Sequence, residues 1–418
     1  MKRSGNRVIG VAAMAAASAA AFVSATVLPS QAAGAVPVRI AMATLRAEEA
    51  RLTSDPLMHK VRQSIATLDN VQVEAVAPGR PQNPDNVRRV EALLGPLRFE
   101  HLFPLRAPQY TYRGLLQAIA KFPAICASYP QADGEPGRSD ATCRRTLAAM
   151  FAHFAQETGG HNASHAVPQW RQGLMHVREL GWNETMRGGY NAECSPATWQ
   201  GRAWPCGRFD NGDFRSYFGR GAKQLSYNYN YGPFSEAMFG SVRTLLDKPE
   251  LVADTWLNLA SATFFFSYPQ PPKPSMLHVL DGTWQPNVRD IGNGLVPGFG
   301  VTTQIINGGI ECGRQTEHPQ SLNRIGYYRE FAGYFEVPVP GNEILGCKGM
   351  KPFDDGGAGA LAVYWEQDYR WSNRFPDGKS YACKRVSYQT PYSALKPGDY
   401  ALCVVANFSN VEVIDDGN

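Results

Sequence analysis

The sequence predicts an α+β fold that is mainly α-helical and ends in a small β-rich region. Apolar residues recur at helical spacing in several long stretches, long irregular segments separate them, and period-two alternation is confined to short runs. With 418 residues, 44% hydrophobic and 19% charged, the chain has ample material for a core and lies outside the composition of disordered proteins. Its 41 basic and 37 acidic side chains give a net charge of +4, too weak and dispersed for a nucleic-acid footprint. A polyanionic substrate is disfavoured on the same ground.

Residues 1–33 combine a basic start (Lys2, Arg3, Arg7), an apolar middle from Val8 and a small-residue end at Ser30, Ala32 and Ala33. That is the pattern of a secretory signal peptide, and the Ala-rich middle with its cleavage-like end favours removal over a retained anchor. The expected location is therefore extracellular. No later stretch approaches the roughly 18 apolar residues of a membrane span, so no membrane partner is expected. Secretion also decides how the eight cysteines are read. Cys126, Cys143, Cys194, Cys206, Cys312, Cys347, Cys383 and Cys403 contain no CxxC pair, and an oxidising compartment favours four structural disulfides over a thiolate metal site. Neighbouring pairs would close four modest loops, but spacing alone leaves the connectivity open.

The elements follow in order. Residues 34–95 read as an extension, polar and Pro-containing, with one helix-like stretch from Leu45 to Leu68 interrupted at Pro56. The main body, residues 96–348, opens with a helix whose stripe is Leu115, Leu116, Ile119 and Ala120 and which ends at Pro123. A second helix over residues 142–157 carries Leu147, Met150, Phe151 and Phe154 at i, i+3, i+4, i+7 and stops at Gly159-Gly160. Further helices are predicted over 251–267, with the core run Phe264-Phe265-Phe266, and over 321–335, with Ile325, Tyr328, Phe331 and Phe335 as its stripe. Residues 160–220 form a long loop region rich in Gly, Trp, Asn and Arg, a length that is more often functional than accidental. Residues 349–418 form the β-rich region, with strand alternation through Ala401, Leu402, Cys403, Val404 and Val405. Its Trp365, Tyr369 and Trp371 fit either exposed stacking platforms for sugar rings or a small core, and the core is the reading taken.

Three features carry chemistry. Glu157 sits at a helix end beside Phe151 and Phe154, where the helix C-terminus and poor solvation both favour the protonated carboxyl that an acid catalyst needs. Glu179 places a second carboxylate in the long loop region, and two carboxylates are the minimum kit for glycoside hydrolysis. Glu184, Glu193, Asp210 and Asp213 share that region, so chemistry alone leaves the second carboxylate open. Over residues 217–232, alternation would put Gln224, Ser226, Asn228 and Asn230 on one hydrogen-bonding face and Leu225, Tyr227, Tyr229 and Tyr231 on the other. Such a surface suits a neutral sugar, although an exposed strand would alternate in the same way.

These strings occur in order: Glu157-Thr158-Gly159-Gly160, YFGRG at 217–221, LSYNYNYGP at 225–233, KPS at 273–275, VPGFG at 296–300, INGGIECG at 306–313 and RIGYY at 324–328. Over roughly residues 100–348 the chain resembles glycoside hydrolase family 19, the plant-type chitinases and their bacterial relatives. The resemblance implies a lysozyme-like catalytic domain with a cleft between two lobes, acting on chitin or chitooligosaccharide as a monomer without metal or organic cofactor. It assigns Glu157 as general acid, Glu179 as general base and Ser226 as the residue that positions the attacking water. Gln224, Tyr229, Asn230, Lys273, Asn307 and the aromatic Trp204 match cleft residues, and Glu311 with Arg324 matches a buried charged pair that tunes the acid. It also implies the pairs Cys194 with Cys206 and Cys312 with Cys347. Met175 stands where many relatives have a cysteine, which makes Cys143 the nearest partner for Cys126 and leaves Cys383 with Cys403.

The chain departs from the family pattern at Gln156, often a histidine, and at Ala222 and Lys223, which replace a proline and an aliphatic residue. Three rival readings are distinguishable. Glu157, His161 and His165 recur every four residues as metal ligands on a helix would, but Gly159 and Gly160 interrupt that face and no HExxH is present. A carbohydrate-binding protein without activity is a second rival, disfavoured because both carboxylates are retained. Peptidoglycan, whose glycan also contains N-acetylglucosamine, is an alternative substrate.

Overall fold

The computed structural model describes residues 37–129 and 137–415. The signal-peptide reading lies outside the described residues. Strand β1 (Val38–Ala41) leads into α1 (Met42–Leu52) and α2 (Pro56–Ile65). Pro56 opens α2 instead of merely breaking a longer helix: it stands at the first helical position, and Asp55 caps the turn by accepting from the Met58 amide at 2.9 Å. Three short helices follow, α3 (Asn70–Glu74), α4 (Asp85–Leu93) and α5 (Pro96–Leu102), before α6 (Tyr112–Lys121), which is buried at every position but Arg113.

The longest helix, α7 (Arg138–Thr158), ends at Gly159 as the pattern predicts. It is followed by a long irregular stretch that holds two short 3-10 turns and α8 (Trp199–Ala203). Next come α9 (Asn228–Phe239), α10 (Arg243–Asp247), α11 (Leu251–Asp254), α12 (Leu257–Ser267), α13 (Met276–Asp281), α14 (Val288–Gly292), α15 (Phe299–Glu311) and α16 (Pro319–Tyr334). The expected helix over 251–267 is thus two pieces, and every residue of α12, including Phe264, Phe265 and Phe266, is buried. Helix α7 packs along α16 through Phe151 and Phe331, whose ring centroids lie 5.7 Å apart edge to face, with Phe103 wedged on the same ring at 5.1 Å. This aromatic cluster fixes the end of α7 that carries Glu157.

The chain closes with β2 (Tyr364–Gln367), β3 (Cys383–Val386), α17 (Asp399–Asn407) and β4 (Val411–Ile414). Strands β2 and β3 pair antiparallel, whereas β4 pairs parallel with β1 from the opposite end of the chain, Val38 against Val411 through Ala41 against Ile414. A second core therefore joins Leu45, Met58 and Val61 to Val363, Trp365, Tyr400, Cys403 and Val404, while Val73 through Phe103 belong to the main core. Residues 38–65 and 361–413 build one module from both ends of the chain. Tyr268 packs against both cores.

Two strand readings are corrected. Residues 401–405 lie in α17: Tyr400, Cys403 and Val404 are buried at helical spacing, and Leu402 and Val405 face solvent. Packing against β2 overrides the strand preference of the two valines. Residues 228–232 begin α9, because Tyr227 adopts a left-handed φ of 70° that ends the extended run. Gly232 then lies on the Trp204 ring, where a Cβ would come within 2.4 Å. The eight cysteines form the bridges Cys126–Cys143, Cys194–Cys206, Cys312–Cys347 and Cys383–Cys403.

Candidate active site

The end of α7 brings Glu157 to a buried charge network. Arg324 of α16 donates through Nε to Glu311 Oε2 at 2.9 Å and through Nη2 to Glu311 Oε1 at 2.8 Å, and Nη2 also pairs with Glu157 Oε1. Both Arg324 and Glu311 are about 1% exposed. Such a pair persists only when its remaining hydrogen-bonding capacity is met. Two neighbours meet it. Asn307 Nδ2 donates to Glu311 Oε1 at 2.8 Å, from a position where α15 kinks to φ −151° and ψ 31°. Arg324 Nη1 donates to His153 Nδ1 at 2.9 Å.

His153 lies one turn before Glu157 on α7, and its tautomer follows from its partners. The Thr302 hydroxyl donates to the Phe299 carbonyl at 2.6 Å, so it accepts from His153 Nε2 at 2.9 Å. The ring is therefore neutral with its proton on Nε2. Burial, and then the cations Arg324 and Lys223, hold its pKa well below the ordinary 6.5. Lys223 sits with Nζ 4.5 Å from the Phe265 ring centroid, under the field of Glu157 and Glu311, and burial lowers its pKa. The lysine that departs from the family pattern thus lies within the field of Glu157.

Glu179 is held differently. Its Oε1 accepts from the Tyr190 hydroxyl at 2.7 Å and its Oε2 from the Gly219 amide at 3.0 Å, while its own amide donates to the Gly219 carbonyl at 2.9 Å. Burial, and then the bonded carboxylate, raise the Tyr190 pKa. The backbone ties this segment to α7: the amides of Met175 and His176 both donate to the Thr158 carbonyl, at 3.0 and 3.1 Å. Behind it, buried Arg220 forms ion pairs with Glu184, which also binds Arg178 at 2.8 Å. Glu184, one of the competing carboxylates, is thereby committed to structure.

The other predicted residues divide. Ser226 Oγ donates to the Gln224 carbonyl at 2.9 Å, and Gln224 Nε2 donates to the Gly221 carbonyl at 3.0 Å beside the Glu179 loop. Tyr229, Asn230 and Lys273 line one cavity of about 340 Å³. Lys273 Nζ donates to the Ile305 carbonyl at 2.9 Å, and burial, reinforced by Lys223, brings its pKa down to about 8. Trp204 does not join them; it is buried beneath Gly232 and lines a separate cavity with Glu236 and Tyr392. His161 bridges the Tyr327 hydroxyl and the Gln156 carbonyl, each at 3.0 Å, and His165 accepts from the Val167 amide. Sequence reasoning missed His153, Tyr190 and the Gly219 amide. Of these, only His153 left a signal, its i−4 spacing from Glu157.

Comparison with known proteins places this geometry. A family model described as Chitinase class I, of glycoside hydrolase family 19, matches residues 102–347. Endochitinase 2 of Solanum tuberosum is 39% identical over 249 residues, which cover 59% of this chain and 69% of that one. An endochitinase of Carica papaya is 36% identical over 245 residues, 58% of this chain and 88% of that one. Among solved structures, chitinase C from Streptomyces griseus HUT6037 aligns at 25% identity with a TM-score of 0.43, over 61% of this chain and 97% of that one. The matched span contains both carboxylates, the Arg324 network and Tyr229, Asn230 and Lys273 of the cavity, and on that match the chain belongs to glycoside hydrolase family 19, the class I chitinases.

Proposed function

We propose that the protein is a secreted, endo-acting chitinase that hydrolyses β-1,4 bonds between N-acetylglucosamine units with inversion. One observation carries the reading: two carboxylates in contrasting surroundings, Glu157 in a buried charge network and Glu179 on a backbone-anchored loop, lie on segments that are tied together where the Met175 and His176 amides donate to the Thr158 carbonyl. Inverting glycoside hydrolysis needs one carboxyl group that gives a proton and a second that takes one. Glu157 donates its proton to the glycosidic oxygen as positive charge develops on the sugar. Glu179 takes a proton from a water on the opposite face. Ser226, whose hydrogen is directed to Gln224, keeps its lone pairs for that water. The potato and papaya relatives are named endochitinases, which supports internal cleavage. Four disulfides that use all eight cysteines fit an oxidising destination.

The test is time-resolved NMR of products from chitohexaose. The first-formed product is expected as the α-anomer; a β-anomer would exclude inversion. Glu157→Gln should lower the rate by roughly 10²–10⁴-fold while oligosaccharide binding is retained, as expected for loss of a general acid. Sugar release from purified cell walls but not from colloidal chitin would transfer the assignment to peptidoglycan.

A further inference from the structure

The family match ends at residue 347, yet the module formed by the two chain ends reaches the cleft. Tyr388 and Gln389, just beyond β3, line the same 340 Å³ cavity as Tyr229, Asn230 and Lys273, with Trp199 on its rim. A backbone defect explains the docking. Pro233 lies inside α9 and has no N–H to offer the Tyr229 carbonyl four residues earlier. Gln389 Nε2 donates to that carbonyl at 3.3 Å. The module is held further by the Lys396–Glu236 ion pair.

Aromatic rings run from the proposed base to this junction. Tyr190, bonded to Glu179, lies 5.1 Å from Tyr227 between ring centroids; Tyr227 stacks on Tyr229 at 5.3 Å and 10°, and Tyr229 lies 6.4 Å from Trp199. Trp199 is 45% exposed and Tyr388 is 52% exposed. Tyr388 lies close to Glu366 of β2 and to Tyr369, which is also exposed. Exposed rings beside Asn230 and Lys273 meet the needs of a pyranose face and its hydroxyl and acetamide groups.

We propose that this module extends the catalytic cleft with a sugar-binding subsite, in which an N-acetylglucosamine unit of the bound chain stacks on Tyr388 between the module and Trp199. The proposal rests on the chitinase reading of the cleft. It makes the two-ended module part of substrate recognition and predicts that its contribution appears only when the substrate is long enough to reach it.

The experiment compares kcat/KM for chitotetraose and chitohexaose in the full chain and its Tyr388→Ala variant. Loss of one stacking platform should reduce hexaose turnover roughly ten-fold while tetraose turnover stays unchanged, and Tyr388→Trp should restore the hexaose value. Equal losses on both oligomers, no loss on hexaose, or a gain indicating obstruction would each overturn the subsite. Failure of the unmutated protein to cleave either oligomer would overturn the chitinase reading and the subsite with it. Cleavage by the unmutated protein with an indistinguishable Tyr388→Ala variant would overturn the subsite alone.

Discussion

Glu157 and Glu179 are the same side chain placed by two different means. Glu157 stands at the end of a 21-residue helix, and its carboxylate is fixed by other side chains: Arg324, and through it Glu311 and His153. Glu179 lies in a segment with little regular structure, and its carboxylate is fixed by a backbone amide and one tyrosine. The first arrangement concentrates charge in the core, so its parts contribute to the stability of the fold. The second spends little burial, so its parts should affect reaction rate and leave stability nearly unchanged.

The sharpest way to break that contrast is at Arg324. Arg324→Ala leaves Glu311, about 1% exposed, without its partner. Breaking a buried ion pair from one side costs about 3–5 kcal/mol, whereas replacing both members by apolar residues of similar volume is often neutral. Denaturant melts should therefore show a large loss for Arg324→Ala and recovery of most of it in Arg324→Met with Glu311→Met. The double variant should remain inactive, because Glu157 has still lost its guanidinium. A double variant as unstable as the single one would show that the network is held by packing instead of charge.

At Glu179 the corresponding change is Tyr190→Phe, which removes one of two hydrogen bonds to the carboxylate and leaves the ring packed against Tyr227. A hydrogen bond to a charged group contributes about 1.5–3 kcal/mol. With the Gly219 amide still in place, turnover should fall roughly ten-fold at nearly unchanged melting temperature. A melting temperature that falls as far as for Arg324→Ala would erase the distinction between the two sites.

The same contrast decides what was legible in the sequence. Helix periodicity placed Phe151, Phe154 and Glu157 on α7, and the diglycine placed its end, because those signals are local. Glu179 was not separable from Glu184 on chemistry; only the family resemblance chose it, and the structure shows Glu184 committed to Arg220 and Arg178. Tyr190 left no trace, since its approach to Glu179 depends on how an irregular loop folds. Trp204 matched a cleft aromatic by its motif but lies beneath Gly232, a placement set by the start of α9. The partnership of β1 with β4 joins residues nearly the whole chain apart, and no periodicity reports such a pairing. Of the three aromatics weighed in the C-terminal region, Trp365 is core, whereas Tyr369 and Trp371 are exposed.

The smallest effect separates the sites by pH. His153 must stay neutral to accept from Arg324, and its folded pKa lies well below 6.5. In the unfolded chain the imidazole titrates at its ordinary value. As pH falls below about 6.5, the unfolded state therefore binds a proton that the folded state does not, and stability declines with falling pH until the folded pKa is reached. One such group contributes a slope of at most about 1.4 kcal/mol per pH unit. His153→Gln keeps an acceptor for Arg324 and cannot titrate. Its melting temperature should fall less steeply than that of the unmutated protein between pH 6.5 and pH 4.5, whereas Tyr190→Phe should follow the unmutated curve. Parallel curves for all three proteins would mean that His153 is not held neutral by the network, and the side-chain account of the Glu157 site would lose its electrostatic basis.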